Sequence, residues 1–397
     1  MKPELAANGA LSRRHLLSLG LAGCAALALA ACGQSAPAAP SPAASAPASV
    51  AAKPSGSPST QASAKPAGSQ AAQPASAQAS SSASRSLDVV KQGNLRGLTL
   101  GAAIARERGY FAEQGVQSDE TMFDSGSQQT PLIATGQLDI GTSSPTSAHF
   151  NALSRGVKQK FAVDNAHLEK GVVSEAIILR PDLVGKDIKT IADLKGRTLL
   201  AQTDNKQGGL GFAVSKVLAS AGLKIEDVDW KIVPFPDMTN ALANKQADGA
   251  AQLEPFITAA VSRGIAQAWQ NLADFYPGEQ AGALVFSEGF IRDRRDVARR
   301  WMVAHLRGVR DMNDFLKSGK DAQVVGPILT KATGSSADLV TKIQWLPIDG
   351  NGSLNSASIE ADQKQLADWG SIKETFPIDQ LVDTQFVDYA VQQLGKV

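Results

Sequence analysis

Short apolar runs alternate with stretches of helical periodicity along the chain from residue 86 onward. The pattern predicts strands at 87–91, 118–123, 138–142, 176–179, 198–202, 230–233 and 283–286. Between them it predicts helices at 98–108, 128–135, 145–154, 209–221, 238–245 and 255–262, followed by a mainly helical segment up to residue 397. Such alternation is typical of an α/β fold with largely parallel sheets and helices on both faces.

Two stretches of the chain share one plan. Residues 135–141 (Thr-Gly-Gln-Leu-Asp-Ile-Gly) and 244–250 (Asn-Lys-Gln-Ala-Asp-Gly-Ala) each join a predicted helix to a predicted strand. Each is followed by a proline, Pro145 or Pro255, at the favoured first position of another helix. Chance similarity is the alternative; the interpretation we favour is two similar lobes, each with its own sheet. Ligands bind outside the carboxyl ends of parallel strands, so the loops there should face a shared cleft.

Residues 1–31 have the pattern of an export signal, in which a basic stretch precedes a short apolar run. The pair Arg13-Arg14 resembles a twin-arginine signal, and an ordinary Sec signal is the alternative. The run ends in Leu-Ala-Ala-Cys, which resembles a bacterial lipobox and predicts lipidation of Cys32. Cys24 follows a closer match to the lipobox, but it leaves too short an apolar segment before it. Acyl chains on the cysteine would anchor the protein to the outer face of the cytoplasmic membrane.

Residues 32–85 are almost entirely Ala, Pro, Ser, Gln and Gly. Such a composition cannot bury enough apolar surface to offset the entropy of ordering, so the segment is predicted to be a disordered tether. A flexible chain of roughly fifty residues spans on the order of 40 Å. The tether should let the folded body, which begins near residue 86, reach away from the membrane.

Composition excludes several classes of function. The formal net charge is +1 and 19% of residues are charged, so there is no electrostatic reason to expect nucleic-acid binding. The two cysteines are Cys24 and Cys32, which leaves residues 33–397 without a disulfide, a cysteine metal site or a cysteine nucleophile. The four histidines are scattered and lack metal-ligand spacing, so neither a metal nor a cofactor is expected.

Several motifs in the body occur together in the order found in one family. Residues 107–116 (Glu-Arg-Gly-Tyr-Phe-Ala-Glu-Gln-Gly-Val) resemble its first-helix signature, and residues 124–141 resemble its second helix and third strand. Residues 191–197 (Ile-Ala-Asp-Leu-Lys-Gly-Arg) and 252–256 (Gln-Leu-Glu-Pro-Phe) resemble two further signatures, although Leu253 stands where the family often has Trp. The body, over about 87–390, is therefore similar to the sulfonate, nitrate and taurine type of ABC-importer substrate-binding protein. That family also includes binders of the pyrimidine precursor of thiamine.

The resemblance implies a two-lobed periplasmic-binding-protein fold of type II with two hinge strands, at 176–180 and 283–286. Lobe 1 would comprise 86–181 and the returning segment 284–397, and lobe 2 would comprise 182–283. The implied function is capture of a small anionic or heterocyclic ligand, such as a sulfonate, a nitrate-like anion or a pyrimidine. The protein would pass this ligand to the permease and ATPase subunits of an ABC importer and would not be an enzyme.

Helix N-termini at the cleft supply candidate ligand contacts, because they offer unpaired N–H donors and a partial positive charge. Each of these residues has helix capping as its alternative role. Two single side chains, Arg96 and Glu254, could also contact a ligand, and the alternatives are a solvated arginine and a capping carboxylate. Trp345, in a polar neighbourhood, is a candidate for stacking on the ligand. The candidates at the helix starts are Ser125, Gly126, Ser143, Ser144, Thr203, Asn205 and Gly208.

Two other functions are alternatives to transport. An enzyme that makes the thiamine pyrimidine precursor shares the fold, but it depends on iron and a cysteine-rich segment that residues 33–397 lack. A tethered sensor that signals to another envelope protein is the second alternative, and the residues do not separate it from transport. The glycine-rich stretch 208–211 does not match a dinucleotide-binding fingerprint in its spacing.

Overall fold

A computed structural model describes residues 86–95 and 98–397. The predictions of an export signal at 1–31, lipidation of Cys32 or Cys24, and a tether at 32–85 lie outside the described residues. So does Arg96.

The described residues form ten strands and fourteen α-helices. The strands are β1 (Asp88–Leu95), β2 (Val116–Phe123), β3 (Ile140–Ser143), β4 (Gln159–Ala166), β5 (Glu175–Leu179), β6 (Thr198–Ala201), β7 (Asp229–Ile232), β8 (Gly249–Leu253), β9 (Gln267–Asn271) and β10 (Gly282–Ser287).

The helices before β10 are α1 (Leu100–Glu107), α2 (Tyr110–Glu113), α3 (Gly126–Ala134), α4 (Ser147–Ser154), α5 (Gly211–Ser220), α6 (Phe235–Ala243) and α7 (Phe256–Ser262). Those after it are α8 (Glu288–Asp293), α9 (Arg295–Ser318), α10 (Ala322–Thr333), α11 (Ala337–Val340), α12 (Ser356–Asp368), α13 (Ile378–Leu381) and α14 (Gln385–Leu394). No helix in the described part of the chain combines the length and apolar character needed to cross a membrane.

The strands form two five-stranded sheets with the same topology. The first sheet has the order β2-β1-β3-β10-β4 and the second has the order β7-β6-β8-β5-β9. In the first, β1 pairs in parallel with β2 and β3, while β10 runs antiparallel to β3 and β4. In the second, β6 pairs in parallel with β7 and β8, while β5 runs antiparallel to β8 and β9. The two similar sequence stretches lead into β3 and β8, which hold the same central position, and the predicted α/β class with two sheets is confirmed.

The sequence pattern predicted seven of the ten strands, and the repeated stretch 244–250 leads into an eighth, β8, whereas β4 and β9 were missed. β4 (Gln-Lys-Phe-Ala-Val-Asp-Asn-Ala) is almost wholly buried, so its polar and apolar residues do not alternate. β9 (Gln-Ala-Trp-Gln-Asn) is mostly polar and lies at the edge of the second sheet. Pairing with β10 and β5, rather than any local pattern, makes these segments strands.

The chain passes from the first sheet to the second between β4 and β5 and returns between β9 and β10. The predicted hinge strands 176–180 and 283–286 coincide with β5 and β10, each of which is paired on both sides within one sheet. The connecting segments 167–174 and 272–281 therefore carry the chain between the sheets. The division into lobes at 181 and 283 stays a prediction.

The long helix α9 covers the first sheet and supplies much of its core. Trp301 on this helix is fully buried, and its ring stacks on His305 at 4.8 Å and on Phe111 at 5.6 Å between ring centroids. A Cβ atom on Gly308 would lie 2.1 Å from the carbonyl oxygen of Gly101. Glycine at position 308 therefore allows α1 and α9 to approach closely, which fixes α1 beside the first sheet.

Candidate ligand-binding cleft

A cleft of about 570 Å³ lies where strands of both sheets end. The first sheet contributes Leu95, Phe123 and Ser143, the last residues of β1, β2 and β3. The second contributes Ala201 and Leu253, the last residues of β6 and β8. This is the place where open parallel sheets bind ligands, because the loops after the strands converge there. The volume falls in the usual range for small-molecule sites.

Three helices begin at the cleft. Ser125 precedes α3 and Thr146 precedes α4, and neither side chain caps the backbone of its helix. Asp204 caps the short 3₁₀ helix Asn205–Gln207 by accepting from the backbone N–H of Lys206, and this turn leads into α5. Since the first N–H groups of α3 and α4 have no side-chain cap, they stay available to a polar group in the cleft.

The structure brings together all seven residues predicted at helix starts. The cleft lining includes Ser125, Gly126, Ser143, Ser144, Thr203, Asn205 and Gly208. Ser125 and Ser127 share a hydrogen bond of 2.9 Å between their hydroxyls, and the hydroxyl of Ser144 donates to the carbonyl of Ala281. Contact of these residues with a ligand stays a prediction.

Glu254 and Trp345 lie beside the cleft, outside its lining. The Glu254 carboxylate accepts from the backbone N–H of Thr258 at 2.9 Å and from its hydroxyl at 2.6 Å, so it holds the first turn of α7. Burial raises the pKa of this carboxyl, although those two bonds oppose the shift. Trp345 is buried and borders a small cavity together with Glu254 and Asn165. Trp345 is not among the residues that line the main cleft, and its stacking on a ligand stays a prediction.

Two buried polar residues in the cleft lining, Asn165 and Glu175, were missed by sequence reasoning. Asn165 stands near the end of β4 and Glu175 begins β5, and their side chains are 2% and 3% exposed. The amide of Asn165 donates to the carbonyl of Leu98, but its Oδ1 has no partner, and neither has Oε2 of Glu175. The sequence feature that could have identified Glu175 is its position as the single charged residue of the otherwise apolar strand Glu-Ala-Ile-Ile-Leu.

The carboxyl of Glu175 favours its protonated form because it is buried. Burial raises its pKa to about 8. Glu279, in the segment that returns to the first sheet, has its pKa raised well above the usual range, first by burial and then by the charge of Glu175. Among the described residues that line the cleft there are the acids Asp124, Asp237 and Glu175 and no Lys, Arg or His. The described part of the lining therefore offers an anion no cationic side chain, while Arg96, between the lining residues Leu95 and Leu98, lies outside the described residues.

Aromatic rings form a wall of the cleft on the side of the second sheet. The rings of Phe235 and Phe256 lie 6.2 Å apart at an interplanar angle of 20°. Both line the cleft, together with Pro234 and, from the first sheet, Phe123. Flat apolar faces of this kind contact the body of an organic ligand, while the few polar groups orient it.

Hydrogen bonds cross the mouth of the cleft from one half to the other. The side-chain amide of Gln202, after β6, donates to the carbonyl of Asp124, after β2, at 3.0 Å. The hydroxyl of Ser147 on α4 bonds to the side chain of Gln207. These bonds join loops that follow strands of the first sheet to loops that follow strands of the second. No group of three or more His, Cys, Asp or Glu residues suited to a metal ion occurs within residues 86–95 and 98–397.

The sequence matches the family described as NMT1/THI5 like over residues 99–314, more than half of the chain. A relative described as a binding protein of Brucella abortus (strain 2308) is 24% identical over 227 residues, which is 57% of this chain. The match spans 63% of that relative, less than two thirds of its length.

Solved structures share the fold at low sequence identity. The periplasmic aliphatic sulphonate binding protein SsuA from Escherichia coli has a TM-score of 0.60 and 18% identity, covering 74% of this chain and 97% of that protein. The periplasmic nitrate-binding protein NrtA from Synechocystis PCC 6803 has a TM-score of 0.64 and 11% identity, covering 78% of this chain and 89% of that one. The desulfurization enzyme DSZB has a TM-score of 0.57 and 16% identity, and the match covers 77% of this chain and 99% of that protein. The predicted two-lobed periplasmic-binding-protein fold is thus confirmed, and the chain belongs to the NMT1/THI5-like family.

Proposed function

We propose that this protein is the solute-binding component of an ABC importer, which holds a small organic ligand between its two halves. The observation that carries the proposal is the cleft of about 570 Å³ at the carboxyl ends of two like sheets, where α3, α4 and α5 begin. Family membership, the binding-protein relative and the similarity in fold to SsuA and NrtA support it. The ligand classes implied by the resemblance are sulfonates, nitrate-like anions and heterocycles.

The proposal includes export and two kinds of partner. The protein would be attached to the outer face of the cytoplasmic membrane through lipid on Cys32, and a tether would let the body reach the permease. The permease and ATPase subunits would accept the ligand from the closed form. The similarity to periplasmic proteins supports an exported location.

We infer binding rather than catalysis at this cleft. The fold itself does not decide between them, since DSZB is an enzyme on a similar fold. The description of the curated relative supports binding. So does the composition of residues 33–397, which lack the cysteine nucleophile and cysteine ligands that the enzyme alternative needs.

Closure of the cleft would follow from a higher affinity of the ligand for the closed state than for the open state. A ligand that contacts both halves binds the closed state more tightly and shifts the population toward it. The cross-cleft bonds Gln202–Asp124 and Ser147–Gln207 then form, and segments 167–174 and 272–281 absorb the rotation.

A thermal-shift screen of the exported body against small metabolites tests the proposal, with calorimetry on each compound that stabilises it. A ligand at 100 times its Kd should stabilise the protein by about 2.7 kcal/mol, with one ligand per chain. Thr203 is exposed and lines the cleft, so Thr203→Trp should block binding while preserving the fold. Lys373 is exposed and lies outside the lining, so Lys373→Trp is the matched control. Equal binding by both variants, or no binding across the library, would overturn the proposal.

A further inference from the structure

Residues 343–371, here called the strap, run along both segments that connect the two sheets. At the first connection, the backbone N–H of Val173 donates to the side-chain oxygen of Gln344 at 2.9 Å. At the second, the side-chain amide of Asn355 donates to the carbonyl of Gly278 at 2.6 Å. The strap is therefore bonded to the chain at both places where the chain passes between the sheets.

Side chains at the start of the strap pack into the cores of both halves of the protein. Trp345 and Ile348 are buried in an apolar cluster with residues of α1, α9 and α10, on the side of the first sheet. Leu346, which lies between them in sequence, is buried in the core of the second sheet with residues of β5 and β6. Neighbouring residues of one short stretch are thus held in two different cores.

The far end of the strap holds the start of α5, which belongs to the second half. The ring of Trp369 stacks on that of Phe212 at 5.7 Å between centroids and at an interplanar angle of 9°. Phe212 is 1% exposed, because its ring lies in an apolar cluster with residues of α4, β10 and α12 from the first half. Beside this stack, the hydroxyl of Ser371 donates to the carbonyl of Lys206 at 2.6 Å. The strap therefore contacts the second half at both of its ends.

Rotation of the two halves about the connecting segments must either keep these contacts or break them. Breaking them would expose the buried side chains of Phe212 and Leu346 to water, which the hydrophobic effect opposes. It would also separate the hydrogen-bonded partners of Gln344 and Ser371. A small rotation, in which the strap stays attached to both halves, is therefore favoured over a wide one.

We propose that the strap is an additional, noncovalent element of the hinge, which limits how far the two halves rotate apart and therefore how wide the cleft opens. The strap also reaches the ligand site. Leu346 lines the cleft, and so do Gly208 and Leu210 in the loop that leads to Phe212. A ligand in the cleft would therefore contact residues whose position depends on the strap.

The distance between two spin labels, measured by double electron–electron resonance, tests the proposal without any ligand. Residues 33–397 contain no cysteine, so the labels are placed at Thr121→Cys in β2 and Asn240→Cys in α6, after Cys24→Ser and Cys32→Ser. Both label positions are exposed and lie outside the cleft lining, one in each half. The ligand-free protein should give a narrow distribution of distances. Because no ligand takes part, failure of this proposal would leave the proposed function intact.

Substitutions at Trp369 separate the strap from general packing. Trp369→Ala removes the ring that stacks on Phe212, so the distance distribution should broaden and shift to longer distances. Trp369→Phe keeps an aromatic ring and should restore the wild-type distribution. The matched control is Trp230→Ala, since Trp230 is half-buried like Trp369 but packs on the core of the second sheet and bonds to Ile225 in the same half. A Trp369→Ala distribution that coincides with the wild type, or equal broadening in Trp230→Ala, would overturn the proposal.

Folding is checked on every variant by circular dichroism. Where Trp369→Ala does not fold, Gln344→Ala takes its place, because Gln344 is exposed and its side chain bonds to the first connection. Its control is Lys342→Ala, since the exposed Lys342 bonds to Asp338 on α11. Gln344→Ala should give longer distances than Lys342→Ala, and the same distribution in both would refute a role of the strap in the hinge.

Discussion

Substitution of Glu175 by glutamine should make the protein less sensitive to alkaline conditions. Glu175 is 3% exposed, and burial raises its pKa from 4.5 to about 8. Between these two values the native carboxyl keeps its proton while the unfolded chain releases it, so stability falls as pH rises. The free energy of unfolding is therefore highest below pH 4.5. It falls progressively up to about pH 8 and is level above that pH as far as this group is concerned.

The magnitude follows from the shift. One pKa unit corresponds to 1.36 kcal/mol, so a shift from 4.5 to about 8 amounts to at most about 5 kcal/mol of lost stability by pH 8. Glu175→Gln cannot ionise, so this part of the pH dependence should disappear. Some pH dependence of stability should remain in the variant, because two neighbouring acids also have raised pKa values. Burial raises the pKa of Asp362 to about 7 and the pKa of Glu279 well above its usual range. Tyr276 bonds to Asp362 at 2.8 Å, and Lys216 is the cation close enough to oppose these shifts.

Urea unfolding at pH 5, 6, 7 and 8 measures the effect. The free energy of unfolding should fall less steeply with pH in Glu175→Gln than in the wild type, by several kcal/mol over the range. The exposed Glu374→Gln is the control and should follow the wild-type curve. A Glu175→Gln curve parallel to that of the wild type would show that the Glu175 carboxyl ionises normally, and would refute the reasoning.

Three further substitutions test the packing and the buried polar groups. In Gly211→Ala the new Cβ would lie 1.9 Å from the carbonyl oxygen of Asn205, so ligand affinity and stability should both fall. The control is Gly326→Ala, whose Cβ would meet no atom beyond its own helix within 4 Å and which should change stability by less than about 1 kcal/mol. Calorimetry and urea unfolding measure both; equal effects would contradict the contact. Burial lowers the pKa of His305 to about 3, so the wild type loses stability as pH falls below 6.5. In His305→Leu the loss between pH 6.5 and pH 5 should be about 2 kcal/mol smaller than in the wild type. An unchanged acid limb of the stability curve would contradict it. In Asp164→Ala the free energy of unfolding in urea should fall by about 3–5 kcal/mol. The buried Asp164 side chain accepts hydrogen bonds from four groups near the end of β4, where the chain leaves the first sheet. A loss below about 1 kcal/mol would be inconsistent with that role.

Local patterns were enough to predict most of the fold. The alternation of apolar and polar residues predicts α3 and α5 to within a few residues, because helix and strand periods appear over short windows. The similar stretches at 135–141 and 244–250 predicted two like sheets, and the structure places β3 and β8 at the centre of each. Small residues at helix starts predicted the loops around Ser125 and Ser143, since the start of a helix is visible in sequence.

Residues whose role depends on distant partners were not predicted. Contact of Glu254 with a ligand stays a prediction, since its carboxylate bonds to the nearby Thr258 and lies beside the cleft lining. Asn165 is in a strand that only its pairing with β10 creates, so its place in the cleft had no local signal. The same holds for Glu175, whose burial depends on neighbours far along the chain.

The sequence by itself determined the α/β class, the repeated lobe and the loops that face the cleft, because these depend on periodicity, glycine, proline and serine within a few residues. Only the tertiary structure decided that Asn165 and Glu175 are buried beside that cleft and that burial raises the pKa of the acid at position 175. Burial and hydrogen bonding are properties of surroundings assembled from both sheets, so the chemistry of the ligand is decided where the two halves meet.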